Sequence, residues 1–165
     1  MAWGAGNKAL LQKLHRVSYK VSLWLGILAV TGLAILGPWI YAKWTHGKVP
    51  LDMPLFWGFL VLLLLRGLWY TSFVIPSAIN KHQRIALIHL IVSALGLGLS
   101  LALVNLGLLW ALSGFMLIEV VMTAIVIRIS LRLSEDLLGP FLGASLPPPS
   151  PKGVVLGVRR ALSGS

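Results

Sequence analysis

Apolar residues dominate four long stretches of the chain, and short polar segments separate them. The predicted membrane spans cover residues 21–42, 55–75, 85–104 and 108–130. Each is close to the length of about 20 residues that a helix needs to cross the hydrocarbon core. Asn105 and Gly107 tolerate left-handed backbone and so divide the last long stretch into two helices. The pattern predicts an all-α integral membrane four-helix bundle of two antiparallel transmembrane hairpins.

Composition excludes a soluble protein. Of the 165 residues, 58% are hydrophobic and 11% are charged, and the mean hydropathy is +0.90. Four spans leave little chain for a separate soluble catalytic module. The absence of cysteine excludes disulfides, iron–sulfur clusters and thiolate-bound metals. The net charge of +10 suggests nucleic acid at first, but the basic residues flank the spans and therefore predict topology, with no nucleic-acid partner.

Lysine and arginine concentrate on one predicted side of the membrane. That side collects Lys8, Lys13, Arg16, Lys20, Lys81, Arg84, Arg132, Lys152, Arg159 and Arg160. The other side has only Lys43 and Lys48 in its loop. Since short cytoplasmic flanks carry the excess of positive charge, both termini are expected in the cytoplasm. The predicted location is the cell inner membrane.

Two flanking segments adjoin the predicted membrane domain at 21–133. Residues 1–20 are basic, and their leucines recur at helical spacing opposite the lysines. This segment is either an amphipathic helix on the inner membrane surface or a basic extension of the first span. Residues 134–165 contain a run of prolines and predict a mobile cytoplasmic tail.

Two opposite charges lie inside the predicted spans. Arg66 follows Leu55 by eleven residues, and Glu119 follows Leu108 by eleven. Both helices run in the same direction, so each charge lies about 16 Å below the same interface. We therefore predict an ion pair between Arg66 and Glu119. Two interpretations stay open: the pair pins the helices in register, or it serves proton exchange or holds an anionic ligand headgroup.

Four histidines are candidates for haem ligation, since paired imidazoles on facing helices hold b-type haem in small membrane bundles. They are His15, His46, His82 and His89. His46 lies in the outer loop. His15 and His89 differ in depth by about 15 Å if both helices span straight from their charged boundaries. That offset argues against a shared iron, and a structural or surface role is the other interpretation of each imidazole.

Short motifs around two of these histidines resemble a known family. Leu-His-Arg at 14–16, followed by Val-Thr-Gly-Leu-Ala-Ile at 30–35, resembles the first helix of bacterial cytochrome b561-type and copper-resistance-D-type membrane proteins. Ile-His at 88–89 is similar to their second helix. The resemblance implies a four-helix, haem- or copper-linked protein that transfers electrons. It implies His15 and His89 as candidate positions for binding haem b.

Catalytic residue sets cannot be assembled from this sequence. The acids are few and lie at three different levels, and neither a nucleophile with its base nor a metal site emerges. The third span carries small residues at Gly96, Gly98, Ser100 and Ala102, and Ala94, Gly98 and Ala102 stand at the spacing that permits close helix packing, either within the bundle or against a partner. These features favour a non-enzymatic accessory or anchor subunit of a membrane complex. Its expected partners are the lipid bilayer and other membrane subunits or a second copy.

Two alternative functions remain open. One is the b-type cytochrome or haem- or copper-linked protein of the resembling group, using His15 and His89. The other is a small carrier or channel organised around Arg66 and Glu119. A visible spectrum separates the cytochrome from the rest, because bound haem gives a Soret band.

Overall fold

The computed structural model describes residues 8–149, and every regular element in that range is helical. The helices are α1 Lys8–Trp44, α2 Met53–Ala78, α3 Gln83–Leu103, α4 Leu108–Ser134 and α5 Leu138–Ser145. The first four are long and apolar enough to cross a membrane. This confirms the prediction of four long apolar helices in an all-α chain, which is the architecture of a multi-pass membrane protein.

Local sequence signals explain where the helices begin and end. α2 begins after Asp52, whose carboxylate accepts the backbone N–H of Leu55 at 3.0 Å, with Pro54 in the first turn. A short 3₁₀ turn follows α3, and Gly107 then adopts a φ of 119°, a conformation that favours glycine. The chain therefore turns where the sequence predicted. α4 ends at Ser134, and the next residue, Glu135, adopts the left-handed conformation common after helices.

α1 is longer than the predicted span at 21–42. It runs without a break for 37 residues, which is about 55 Å of helix. Residues 8–20 therefore continue the same helix as the first apolar stretch. α1 packs on α2 where Gly26 and Gly37 face Leu64 and Phe56, and a Cβ at Gly26 would lie 2.9 Å from Leu64 Cδ1.

Helix packing follows the order α1, α2, α4, α3. α4 has broad interfaces with both α2 and α3, while α1 packs mainly on α2. Gly96 of α3 and Gly114 of α4 approach so closely that a Cβ on either would meet the carbonyl oxygen of the other. The Ser100 hydroxyl donates to the carbonyl of Ala111 at 2.7 Å in the same contact. α2, α3 and α4 thus form the tightly packed part of the described chain.

The small residues of α3 lie on two faces, and only one of these faces packs on α4. Ala94, Gly98 and Ala102 are exposed, and a Cβ at Gly98 would meet nothing within 4 Å. Gly96 and Ser100, which lie on another face of the helix, are buried against α4. Packing within the bundle therefore uses the face of Gly96 and Ser100, and packing of the Ala94, Gly98 and Ala102 face against a partner stays a prediction.

Helix α5 replaces part of the predicted mobile tail at 134–165. Phe141 is fully buried and packs with Tyr19 of α1 and Leu131 of α4. The apolar surface that this aromatic ring buries explains why the segment is ordered. The predicted tail beyond Pro149 and the first seven residues of the predicted 1–20 segment lie outside the described residues.

Candidate functional site

Glu119 lies on α4 and faces α2 in the interior of the helix assembly, where it is only 8% exposed. The indole Nε1 of Trp69 donates to Glu119 Oε2 at 2.6 Å. Arg66 Nε lies 3.8 Å from Glu119 Oε1. A buried carboxylate requires such partners, because its charge loses the solvation of water.

The structure therefore brings the two predicted charges close together, although their contact is loose. The Arg66 side chain is 57% exposed, whereas Trp69 is 4% exposed. The shorter and better shielded bond to Glu119 comes from Trp69, which the sequence analysis did not single out. Trp69 follows Arg66 by three residues and so shares its helix face. This three-residue spacing was the feature of the sequence that could have indicated a role for Trp69.

Aromatic rings surround the contact on the α2 side. Trp69 stacks on Tyr70 with ring centroids 4.2 Å apart, and its ring centroid lies 5.6 Å from that of His89. The guanidinium carbon of Arg66 lies 5.8 Å from the Tyr70 ring centroid, within the range of a cation–π interaction. Because the indole only donates, Trp69 stabilises the carboxylate and offers no acceptor for passing a proton onward. The arrangement fixes a buried anion in place.

His15 lies in a different set of contacts, where α1 meets α2 and α5. Its Nε2 lies 3.2 Å from Ser72 Oγ, and its ring centroid lies 4.8 Å from that of Phe141. The Ser130 hydroxyl donates to the Ser72 carbonyl at 2.6 Å. His15 Nδ1 is buried with no hydrogen-bond partner among residues 8–149. This histidine therefore belongs to a polar contact that joins α1, α2 and α4.

His15 and His89 contact α2 at neighbouring levels. Their partners there, Ser72 and Trp69, are three residues apart, which is about 4.5 Å along the helix axis. The depth offset expected from the charged boundaries does not appear, because α1 is already helical from Lys8 and places His15 inside the helix assembly. The two imidazoles nevertheless have different partners, on helices that do not pack broadly on each other. Haem binding by this pair stays a prediction.

The described part of the chain contains no cluster of side chains that could bind a metal ion. No group of three or more histidine, cysteine, aspartate or glutamate side chains comes together there.

No protein family, curated protein or solved structure matches this sequence. The resemblance at 14–16, 30–35 and 88–89 therefore remains a prediction from the sequence.

A charged contact fastens the beginning of α1 to the junction of α4 and α5. The guanidinium of Arg16 donates two hydrogen bonds to Asp136, with Nε 2.8 Å from Oδ2. The Asp136 side chain is 2% exposed. The hydrogen bonds from Arg16, together with its charge, hold the pKa of the Asp136 carboxyl below its usual value. Neighbouring Gln12 donates to the carbonyl oxygens of Ser134 and Glu135.

An open groove runs between α1 and α2. It encloses about 720 Å³, and its lining includes small residues of both helices: Ser18, Ser22, Gly26 and Ala29 of α1, and Gly67 and Thr71 of α2. The Thr71 hydroxyl donates to Ser22 Oγ at 2.7 Å, which satisfies polar groups in the groove. A Cβ at Gly67 would meet nothing within 4 Å. The groove therefore has free space beside Gly67.

Proposed function

We propose that this chain is a multi-pass inner-membrane protein that acts as a non-enzymatic accessory or anchor subunit of a larger membrane assembly. In this proposal α1–α2 and α3–α4 are antiparallel transmembrane hairpins and both termini are cytoplasmic. The excess of lysine and arginine at one end of the spans supports that orientation. The groove between α1 and α2 is the observation that carries the proposed role.

The groove has the properties of a surface for another transmembrane helix. Helices in lipid associate by close backbone approach, and small residues at an interface permit it. Ser18, Ser22 and Gly26 follow one another at four-residue spacing on α1, and Gly67 faces the same space. In its most apolar stretch α1 has no buried residue, whereas the corresponding stretches of α2 and α4 are 28% buried. We infer that a helix of a neighbouring subunit covers this face.

The contact between Glu119, Trp69 and Arg66 serves as a pin in this proposal. Both carboxylate oxygens of Glu119 face donors on α2, so α2 and α4 have one favoured register. A rigid α2–α4 pair then supports one wall of the groove. This role agrees with the first interpretation of the two intramembrane charges.

Filling the groove tests the proposal. Gly67→Leu adds a side chain to the wall of the groove, at a position where a Cβ would meet nothing within 4 Å. Gly98→Leu is the matched control, because it makes the same change on an exposed face of α3. The assembly mass is measured by native electrophoresis after detergent-free extraction of membranes in polymer discs. We expect Gly67→Leu to release the chain from a larger assembly and Gly98→Leu to leave it in place.

Two results would contradict the accessory role. One is an unmodified chain that runs at the mass of a single copy. The other is an assembly that Gly67→Leu and Gly98→Leu weaken equally. A photo-reactive residue at position 67 adds a second readout, since it is expected to give a cross-linked product of discrete mass that position 98 does not give.

A further inference from the structure

Three cations line one cavity at the end of the assembly where α3 begins and α4 ends. Lys81, Arg84 and Arg132 surround a space of about 460 Å³. Lys81 precedes α3, Arg84 lies in its first turn, and Arg132 lies in the last turn of α4. Like charges gathered around one space repel one another, and a bound anion would remove that cost.

None of the acids in the chain neutralises these cations. The four acids are Asp52, Glu119, Glu135 and Asp136. The first caps α2, and the other three pair with side chains of α1 or α2. Within residues 8–149, the side chains of Lys81, Arg84 and Arg132 have no hydrogen bond or ion pair. The positive charge of the cavity is therefore not compensated by any acid among residues 8–149.

The beginning of α3 adds to the positive potential. Its N-cap residue, His82, makes no side-chain capping bond, and the first turn contains no acid. The unpaired N–H groups at a helix start and the helix dipole both favour an anion. His82 Nδ1 is also buried without a hydrogen-bond partner in the described range. The start of α3 therefore reinforces the three side-chain cations, whereas His82 itself does not line the cavity.

The remaining lining consists of two polar residues, Asn80 and Gln83, and an apolar wall. Ile85, Ile129 and Leu133 line it beside the cations. A small soluble anion would leave this wall without a partner, whereas a lipid offers both a charged headgroup and acyl chains. Guanidinium groups suit phosphate because their paired donors match its oxygens. We propose that this cavity binds the phosphate headgroup of an anionic phospholipid, with the acyl chains along Ile129 and Leu133.

Native mass spectrometry of the full-length protein in detergent tests this site. Phosphatidylglycerol is titrated against phosphatidylcholine, which carries no net charge. We expect the unmodified protein to bind phosphatidylglycerol more tightly. Arg84→Gln combined with Arg132→Gln is expected to weaken that binding at least about tenfold. Lys43→Gln combined with Lys48→Gln removes the same charge from the other end and is expected to leave the binding unchanged.

Several outcomes would overturn the proposal. These are equal affinity for the two lipids, or an equal loss in both double variants. Inorganic phosphate that occupies the cavity while phosphatidylglycerol shows no preference would assign the site to a free anion. Arg84→Lys with Arg132→Lys keeps the charge and is expected to retain the preference, which separates binding from misfolding. Added salt must weaken phosphatidylglycerol binding to the unmodified protein, and binding that is independent of salt would also contradict the proposal.

Discussion

Trp69 donates its indole N–H to the buried carboxylate of Glu119 over 2.6 Å, and this bond joins the two helices that share the broadest interface. The nearest atom of Arg66 is 3.8 Å from the same carboxylate. The neutral, buried indole of Trp69 therefore makes the closer contact with the carboxylate. The more exposed Arg66 side chain lies farther from it. The contact between α2 and α4 at Glu119 therefore includes an aromatic side chain as well as the pair of opposite charges.

Replacing Trp69 by phenylalanine should destabilise the protein. Trp69→Phe keeps an aromatic ring but removes the donor, and a hydrogen bond to a charged group contributes about 1.5–3 kcal/mol. Trp57→Phe is the control, because Trp57 lies on the same helix and is half exposed. The free energy of unfolding is measured in mixed detergent micelles by titration with a denaturing detergent. Similar losses in both variants would show that the bond contributes little.

The relative strength of the two contacts at Glu119 is measurable by double-mutant cycles. One cycle combines Trp69→Phe with Glu119→Gln, and the other combines Arg66→Gln with Glu119→Gln. We expect the larger coupling free energy between Trp69 and Glu119, because that contact is shorter and less exposed. A larger coupling between Arg66 and Glu119 would restore the ion pair as the principal contact.

Acid should loosen α5. The pKa of Asp136 is lowered in the folded protein by hydrogen bonds from Arg16. The contact between Arg16 and Asp136 therefore contributes its full stabilisation above the usual aspartate pKa of 3.8. That stabilisation is lost as the pH falls through the lowered pKa of Asp136. The protection factors of the amides at 138–145, which divide out the intrinsic pH dependence of exchange, are expected to fall in that range.

Asp136→Asn provides the check on this pH dependence. It removes the titrating group, so the protection factors at 138–145 should be lower near neutral pH and should no longer fall with acid. Asp52→Asn alters an acid at the beginning of α2 and should leave exchange in α5 unaffected. An unchanged acid response in Asp136→Asn would mean that another group controls α5.

The long apolar helices were predictable from sequence because their length and composition are local properties of the chain. Counting residues from the starts of two helices that run the same way placed Arg66 and Glu119 at one depth, and their nearest charged atoms lie 3.8 Å apart. The role of Trp69 was not predictable by counting. Which face of α2 meets α4 is decided by packing of the whole assembly.

α5 shows a second limit of sequence reasoning. The prolines at 147–149 suggested a mobile tail, yet the preceding eight residues form a helix. Phe141 is ordered by contacts with His15 and Tyr19, more than 100 positions away in the chain. Which residues Phe141 contacts depends on how distant parts of the chain pack together. The composition of the 134–165 segment alone could not reveal those contacts.

Adding one methyl group between α3 and α4 should cost considerable stability. In Gly114→Ala the new Cβ would meet the backbone oxygen of Gly96 and atoms of Ser100. Backbone atoms cannot rotate away, so the helices must separate, and overpacking of this kind costs about 1–3 kcal/mol. Gly98→Ala makes the same change where a Cβ meets nothing within 4 Å. Unfolding midpoints and hydrogen exchange in α3 should shift in Gly114→Ala only, and equal shifts would mean that the two helices are not held by this close approach.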